Sequence, residues 1–336
     1  MEEPWLHVGS SQGEGEGEKI VVKFDFYCEV SRFILLIAGV FCYINDQHRI
    51  MTRIGSLFAR IKTVGLVLIL SSFGFHYFVY RTRLVDGDSF TYEKALITLK
   101  HAANELKAAA SKENAELRKR CSDIRLGNTK NSSWGVHHLC NLQPPTSCLF
   151  YSFGIAYNYE FELELVRKWN CQGVAFDPLI IHRSKIHQNI TFHMIGARTL
   201  SKEADRRWLL VSSVPSLQAC FRHRRIHVLK MDCEGCEYAL GEDIEKENRD
   251  FFLNVDQFSV EVHTSKFWIS TKRHIYYFAK LFYYLKKARL EIIDVQLVAC
   301  SRAHEDYGCP DELIEAGYPC SRGKMCQNIL FARLPQ

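Results

Sequence analysis

The chain has 336 residues, 47% of them hydrophobic, so it can bury the core of one ordinary domain with further segments attached. Its formal net charge of +5 is too small to indicate a nucleic-acid-binding protein. The one dense basic segment, residues 222–227, is explained as well by a solvated loop as by a phosphate-binding patch.

The cysteines indicate an oxidising compartment, because eleven of the thirteen lie spread out after residue 120. A zinc ribbon would need two CxxC units, and only Cys233 and Cys236 form one. We expect these two to be buried or bonded to other cysteines, since no thioredoxin-like sequence surrounds them; a redox-active pair is the alternative. N-glycosylation sequons at Asn131 and Asn189 fit the same compartment.

The first third of the chain predicts a membrane anchor. Residues 1–63 form an N-terminal segment, rich in Gly, Glu and Ser at its start and therefore partly disordered, with a short apolar stretch at 33–44. Residues 64–80 are an uncharged apolar run between basic residues, which predicts a single transmembrane helix; a buried core helix is the alternative. Basic residues are balanced on the two sides, but the cysteines and sequons favour a C-terminal part in the lumen of the endoplasmic reticulum or Golgi.

Residues 81–117 are predicted to form a helical stem. Within them, Tyr92–Leu117 carries apolar residues at alternating spacings of four and three, which is a heptad stripe. Such a stripe suits a stem that joins two copies of the chain in a homodimer. A single helix lying on the following domain explains the stripe equally well, and residues 118–336 then form that domain.

Apolar strands and amphipathic helices alternate over residues 118–336, which predicts an α/β domain with an open, mostly parallel sheet. No helix separates the last two strands, so we expect them to form an antiparallel pair at the edge. The predicted strands are Cys148–Phe153, Val174–Phe176, Thr191–Ile195, His227–Asp232, Gln257–Val262, Leu290–Val298 and Asn328–Leu334, and the helices are Tyr159–Asn170, Pro215–Phe221, Tyr238–Glu247 and Lys272–Lys287.

The first strand, helix and second strand of this domain predict a site for an adenosine-containing cofactor. Gly154 ends the first strand, and a residue without Cβ lets the backbone approach a ligand. Asp177 ends the second strand at about the spacing that places a carboxylate on ribose hydroxyls. Ser152, Gly154, Ile155 and Asp177 are therefore the candidate cofactor contacts. With one glycine in the turn, an unrelated βαβ unit is the alternative.

Polar residues also follow two later strands. Asp232 and Glu234 come at the end of one, and Glu261 and His263 at the end of the next. Since the carboxyl ends of parallel strands share one edge, we expect these four to converge with Gly154 as the catalytic group. Each also has a structural explanation, because the first two could cap a helix, Glu261 could pair with an arginine and His263 could be a core histidine.

The segment Leu229–Glu237, Leu-Lys-Met-Asp-Cys-Glu-Gly-Cys-Glu, resembles the Leu-Lys-Ile-Asp-Val-Glu-Gly-x-Glu motif of the FkbM-type S-adenosylmethionine-dependent methyltransferases. Residues 149–155 and 175–178, and the cysteines before the first strand, are similar to the subgroup of methyltransferase-like protein 24. The resemblance covers residues 118–334. It implies a Rossmann-like, seven-strand methyltransferase sheet and S-adenosylmethionine as cofactor. The chain departs from the subgroup at residues 156–157, where Ala and Tyr replace Gly and a small polar residue.

Together with the anchor predicted at residues 64–80, the resemblance leads us to expect a membrane-anchored methyltransferase with Asp232 beneath the sulfonium. A sulfonium methyl group is already activated, so the protein has to hold the nucleophile, take its proton and exclude water. Glu234, Glu261 and His263 are candidates for the base or for ligands of a divalent metal. We expect O-methylation, of a small molecule, glycan or protein, because a hydroxyl needs a base most. The alternatives are a catalytically inactive binding protein of the same fold, tethered to a membrane, and a nucleotide-sugar or dinucleotide enzyme.

Overall fold

The computed structural model describes residues 90–111, 115–127, 136–144, 147–180, 185–198, 211–265, 268–299, 308–320 and 325–334. The predicted N-terminal segment 1–63, with its apolar stretch at 33–44, and the predicted transmembrane helix 64–80 lie outside these residues, as does the sequon at Asn131. Within the described ranges, no helix has both the length and the apolar character that crossing a bilayer requires.

Helices and strands alternate through the described part of the chain. The helices are α1 (Tyr92–Ala110), α2 (Ala115–Cys121), α3 (Glu160–Trp169), α4 (Val214–Cys220), α5 (Cys236–Glu247), α6 (Lys272–Lys287) and α7 (Asp311–Glu315). The strands are β1 (Asp123–Leu126), β2 (His137–Cys140), β3 (Leu149–Phe153), β4 (Gln172–Phe176), β5 (Lys185–His187), β6 (Ile190–His193), β7 (Gly196–Ala197), β8 (Val211–Ser212), β9 (Ile226–Met231), β10 (Val255–Val262), β11 (Glu291–Ala299) and β12 (Met325–Ala332).

The main sheet has eight strands in the order β11-β12-β10-β9-β3-β4-β6-β5. The strands from β10 to β6 are parallel, and β12 runs antiparallel between β10 and β11. This confirms the predicted mostly parallel α/β sheet with an antiparallel pair at its edge. The sheet has one strand more than the seven predicted, because β5 folds back on β6 and is too short for its pattern to indicate a strand.

The strand order reverses between β3 and β9, in the middle of the parallel part of the sheet. From β3 the chain moves outward through β4 and β6, and it then returns to β9 on the other side of β3. In open α/β sheets, ligands bind beyond the carboxyl ends of the strands at such a switch point. All six side chains of β9 are buried, as expected for a central parallel strand covered by helices on both faces.

Helix α1 lies on the sheet domain. Its apolar stripe is buried against α6 and β11, and small alanine side chains in the stripe allow close packing. The Tyr276 hydroxyl of α6 donates a hydrogen bond of 2.9 Å to the carbonyl of Phe90, just before the helix. The described residues all fall in one compact unit, Ser89–Gln336, and a domain boundary at residue 118 stays a prediction. A homodimer through residues 92–117 stays a prediction and would have to use the exposed face of α1.

Disulfides are confirmed, because all ten cysteines in the described part of the chain are disulfide-bonded. Cys121–Cys140 joins the end of α2 to β2, and Cys148–Cys171 ties the starts of β3 and β4. Cys309–Cys320 brackets α7. One or both cysteines of the CxxC pair were predicted to be buried or bonded elsewhere. Cys236 is buried, but the prediction of other partners was wrong, since Cys233 and Cys236 bond to each other. Their Cα atoms lie 5.7 Å apart across a turn with two positive φ angles, within the range that a disulfide spans.

Candidate cofactor and catalytic site

The backbone of the turn after β3 packs closely against the backbone at the end of β9. Gly154 has a φ of +73°, and its N–H donates a hydrogen bond of 2.9 Å to the carbonyl of Phe176. A Cβ at this position would lie 1.7 Å from the carbonyl oxygen of Asp232, so only glycine fits. The sequence predicted a close approach of Gly154 to a ligand, and its closest approach in the structure is to the protein's own backbone.

Asp177 holds this turn in place. The Ala156 N–H donates to Asp177 Oδ2 over 2.9 Å, and the Leu179 N–H donates to Asp177 Oδ1 over 2.9 Å. Ala156 has a φ of +45°, a left-handed conformation that favours the glycine expected there. Asp177 is only 5% exposed. Because a carboxylate oxygen can accept more than one hydrogen bond, both of its oxygens keep acceptor capacity beyond these two bonds.

Two of the predicted cofactor contacts belong to the core instead. Ser152 is fully buried and donates a hydrogen bond of 2.5 Å to Glu162 on α3. Ile155 is buried in the hydrophobic cluster that also contains Phe150 and Phe161. Side chains alternate along β3, so Ser152 shares the face of Phe150 and points towards α3. Burial raises the pKa of Glu162, which the sequence did not single out.

Asp232 carries a negative charge at the switch point. Lys230 Nζ lies 3.7 Å from Asp232 Oδ2 and donates a hydrogen bond of 2.9 Å to the carbonyl of Gly154. His137 Nε2 lies 3.8 Å from the same carboxylate oxygen. Burial favours the neutral acid, but Lys230 and His137 outweigh it and hold the pKa of Asp232 well below its usual range. The Asp232 side chain remains 23% exposed, so the charge is accessible to a ligand.

His263 does not suit the predicted role of general base. Its Nδ1 lies 3.3 Å from Glu237 Oε1, its Nε2 lies 3.5 Å from Glu261 Oε1, and its side chain is buried. Burial alone would lower the pKa of His263, but the two carboxylates raise it well above its ordinary value. An imidazole that already holds its proton cannot accept another, so His263 is a structural cation between two acids.

Glu261 suits the role of a base better than His263 does. Burial and the neighbouring Asp232 charge raise the pKa of Glu261, although His263 opposes them. A carboxylate with a raised pKa takes a proton more readily near neutral pH. Glu234 differs from this group, because its side chain is exposed and its backbone has a φ of +50° in the loop closed by Cys233 and Cys236.

The sequence profile of a family described as a methyltransferase domain matches residues 97–296, which is more than half of the chain. The chain belongs to this family. No curated protein and no solved structure matches the chain significantly. The match begins within α1 and ends within β11.

The residues at the switch point suit the cofactor that methyltransferase domains generally use. S-adenosylmethionine carries positive charge on its sulfonium and amino groups, and the ionised Asp232 offers the complementary charge beside the Gly154 turn. The complementarity between the Asp232 carboxylate and the cationic end of the cofactor does not depend on a metal.

Exposed apolar side chains surround the same edge of the methyltransferase sheet. Tyr157, Leu179 and Met194 are 72%, 61% and 52% exposed, and each follows closely after β3, β4 or β6. Large apolar side chains that stay exposed together indicate a binding surface. The sequence signal that indicates such residues is a large apolar side chain shortly after the end of a strand. A separate cavity of about 350 Å³ lies between residues 269–275 and 310–312 and contains none of the predicted site residues.

Two groups among the described residues bring three metal-binding side chains within 4.8 Å of one another. The first is Glu261, His263 and Cys326, but Cys326 is disulfide-bonded and offers no thiolate. The second is Asp123, His138 and Asp294 between the β1–β2 hairpin and β11, a set of carboxylate and imidazole ligands that Mn²⁺ or Zn²⁺ accepts. Asp294 in this group already pairs with Arg118 at 2.7 Å, so it is neutralised without a metal.

The raised pKa of His263 predicts a pH-dependent stability. The unfolded histidine titrates near its ordinary pKa of about 6.5 and the folded one well above it. Its contribution to the free energy of unfolding is therefore complete below about pH 6.5 and is lost as the pH rises through the folded pKa. Urea unfolding between pH 6 and 9.5 should show a steeper loss of stability in the wild type than in His263→Gln. Equal slopes in the two proteins would show that His263 is not held as a cation.

Proposed function

We propose that this chain is an S-adenosylmethionine-dependent methyltransferase of the FkbM type, in the subgroup of methyltransferase-like protein 24. The observation that carries the proposal is the ionised Asp232, held by Lys230 at the switch point and packed against the Gly154 turn. A cationic cofactor end is the ligand that such a carboxylate recognises best. The cofactor, once bound, supplies an activated methyl group.

In this proposal the rest of the cofactor lies along the same edge. The backbone after Gly154 faces its methionine part, and Asp177 accepts hydrogen bonds from the ribose hydroxyls while it keeps its bonds to Ala156 and Leu179. The exposed Leu179 and Met194 provide the apolar surface that an adenine ring needs. In this proposal the methyl group lies near the carboxyl ends of β9 and β10.

We propose that the reaction is O-methylation, with Glu261 as the base. Glu261 has a raised pKa and adjoins the anionic Asp232, so it would take the proton of an acceptor hydroxyl as the methyl group leaves the sulfonium. His263 then acts on Glu261 and not on the substrate, because it is buried between Glu261 and Glu237. The acceptor is a hydroxyl on a glycan, protein or small molecule.

We also propose a single-pass membrane protein whose methyltransferase domain lies in the lumen of the endoplasmic reticulum or Golgi. Ten disulfide-bonded cysteines support an oxidising compartment. The sequon residue Asn189 lies in the turn between β5 and β6 at the edge of the sheet, where a glycan would not disturb the core. The anchor in this proposal is the apolar run 64–80.

Calorimetric titration of the full chain with S-adenosylmethionine and with methylthioadenosine, which lacks the cationic methionine end, tests the proposal. We expect the wild type to bind S-adenosylmethionine more tightly. Asp232→Asn should weaken S-adenosylmethionine binding about 10-fold or more, the effect of losing a charged hydrogen bond, and leave methylthioadenosine almost unchanged. Asp250→Asn, an exposed change, is the matched control. A folded wild type that binds neither ligand would favour the inactive binding protein.

A further inference from the structure

His137 is a buried histidine at the candidate site that comes from outside the main sheet. It lies on β2, in the hairpin with β1, and it is fully buried. Its Nδ1 lies 2.9 Å from Ser259 Oγ on β10. Its Nε2 has no hydrogen-bond partner among the described residues, which is unusual for a buried polar atom and requires an explanation.

The orphaned nitrogen is directed at Asp232. The distance of 3.8 Å from His137 Nε2 to Asp232 Oδ2 is beyond hydrogen-bond length, although it is short enough for a small movement to close. Catalytic hydrogen bonds are often long before the ligand binds and shorten in the complex. Lys230 Nζ lies 3.7 Å from the same oxygen, Asp232 Oδ2. Both His137 and Lys230 therefore approach Oδ2, and neither of these two contacts involves Oδ1.

The protonation of His137 suits a donor to Asp232. Burial lowers the pKa of His137, so the ring is neutral and carries one N–H. If the Ser259 hydroxyl donates to Nδ1, the ring proton must sit on Nε2, where it faces the Asp232 carboxylate. The opposite tautomer would turn a nitrogen lone pair towards a carboxylate that is already negative.

We propose that His137 is a positioning residue for Asp232. When the cofactor binds, Nε2–H donates to Oδ2 and fixes the carboxylate with Oδ1 turned to the cationic methionine end. This inference rests on the proposed function. It gives the β1–β2 hairpin, locked by the Cys121–Cys140 disulfide, a part in cofactor recognition.

The test compares two substitutions of His137 in the full chain. His137→Phe removes the donor and keeps a ring, whereas His137→Gln keeps an N–H near the position of Nε2. We expect the Kd of S-adenosylmethionine to rise about 10-fold in His137→Phe and to stay near the wild-type value in His137→Gln. The Kd of methylthioadenosine should not change in either variant, because that ligand makes no contact with Asp232.

A double-mutant cycle separates positioning from a structural role. In an Asp232→Asn background, His137→Phe should cause no further loss of affinity. An equal Kd in His137→Phe and wild type, or an equal loss for both ligands, would overturn the inference. If His137→Phe does not fold, Ser259→Ala replaces it, and unchanged affinity in that variant overturns the inference too. A wild type that binds no S-adenosylmethionine refutes the proposed function itself, which is a distinguishable result.

Discussion

Gly154→Ala is expected to destabilise the chain by about 3 kcal/mol, from a left-handed conformation and overpacking combined, and to abolish S-adenosylmethionine binding. The new Cβ would lie 1.7 Å from the carbonyl oxygen of Asp232, and a backbone atom of a central strand cannot move aside. The φ of +73° adds strain for any side chain. Urea unfolding followed by circular dichroism measures the loss of stability, and calorimetry measures the loss of binding.

Ala156→Gly is the matched control in the same turn. Ala156 has a φ of +45°, so glycine relieves strain there, and we expect the variant to be more stable by up to about 1 kcal/mol. The two substitutions exchange the same two residue types, two positions apart, with opposite expected signs. A Gly154→Ala protein as stable as the wild type would mean that the turn does not pack against β9 as described.

Lys230→Met is expected to destabilise the chain by about 3–5 kcal/mol, the cost of leaving buried charge without its partner. The Lys230 side chain is only 4% exposed, and its ammonium lies between Asp232 and the carbonyl of Gly154. Methionine keeps most of the volume, so the variant tests charge and not packing. Guanidinium unfolding should show the loss of stability, and calorimetric titration should show a change in the affinity for S-adenosylmethionine.

Lys286→Met is the control for Lys230→Met. Lys286 is 70% exposed and pairs at 2.6 Å with Glu105 on α1, which is 48% exposed. Exposed pairs of this kind contribute less than about 1 kcal/mol, so the stability of this variant should remain close to that of the wild type. Similar losses of stability in the two variants would contradict the view that Lys230 is the buried partner of the Asp232 carboxylate.

The sequence was sufficient for the sheet and for the acids that end its strands. Alternating patterns and breaks located the seven principal strands, and the lack of an obvious helix pattern between the last two predicted the antiparallel edge. The structure has a short helix there, α7, whose five residues are too few to give an amphipathic pattern. Asp232 and Glu261 could be found because each ends a strand at the edge where ligands bind. The contact of Ser152 with Glu162 could not be predicted, because it depends on which face of β3 meets α3.

The residues that determine the charge of the site could not be predicted from the positions of strand ends. Lys230 sits inside a strand whose side chains are all buried, and Glu162 and Glu237 lie on helices that carry further acids. His137 is separated from Asp232 by nearly a hundred positions, in a hairpin that no pattern connects with the sheet. Only the packing of the hairpin against β10 brings them together.

Hydrogen–deuterium exchange of the full chain, with and without saturating S-adenosylmethionine, tests the central claim most directly. If the cofactor binds at the switch point, backbone amides in residues 154–157 and 232–235 should exchange more slowly in its presence, since the ligand covers the turn after β3 and the end of β9. Peptides from α1 and α7 should not change. Protection confined to segments away from these two turns, or no protection at saturation, would contradict the account.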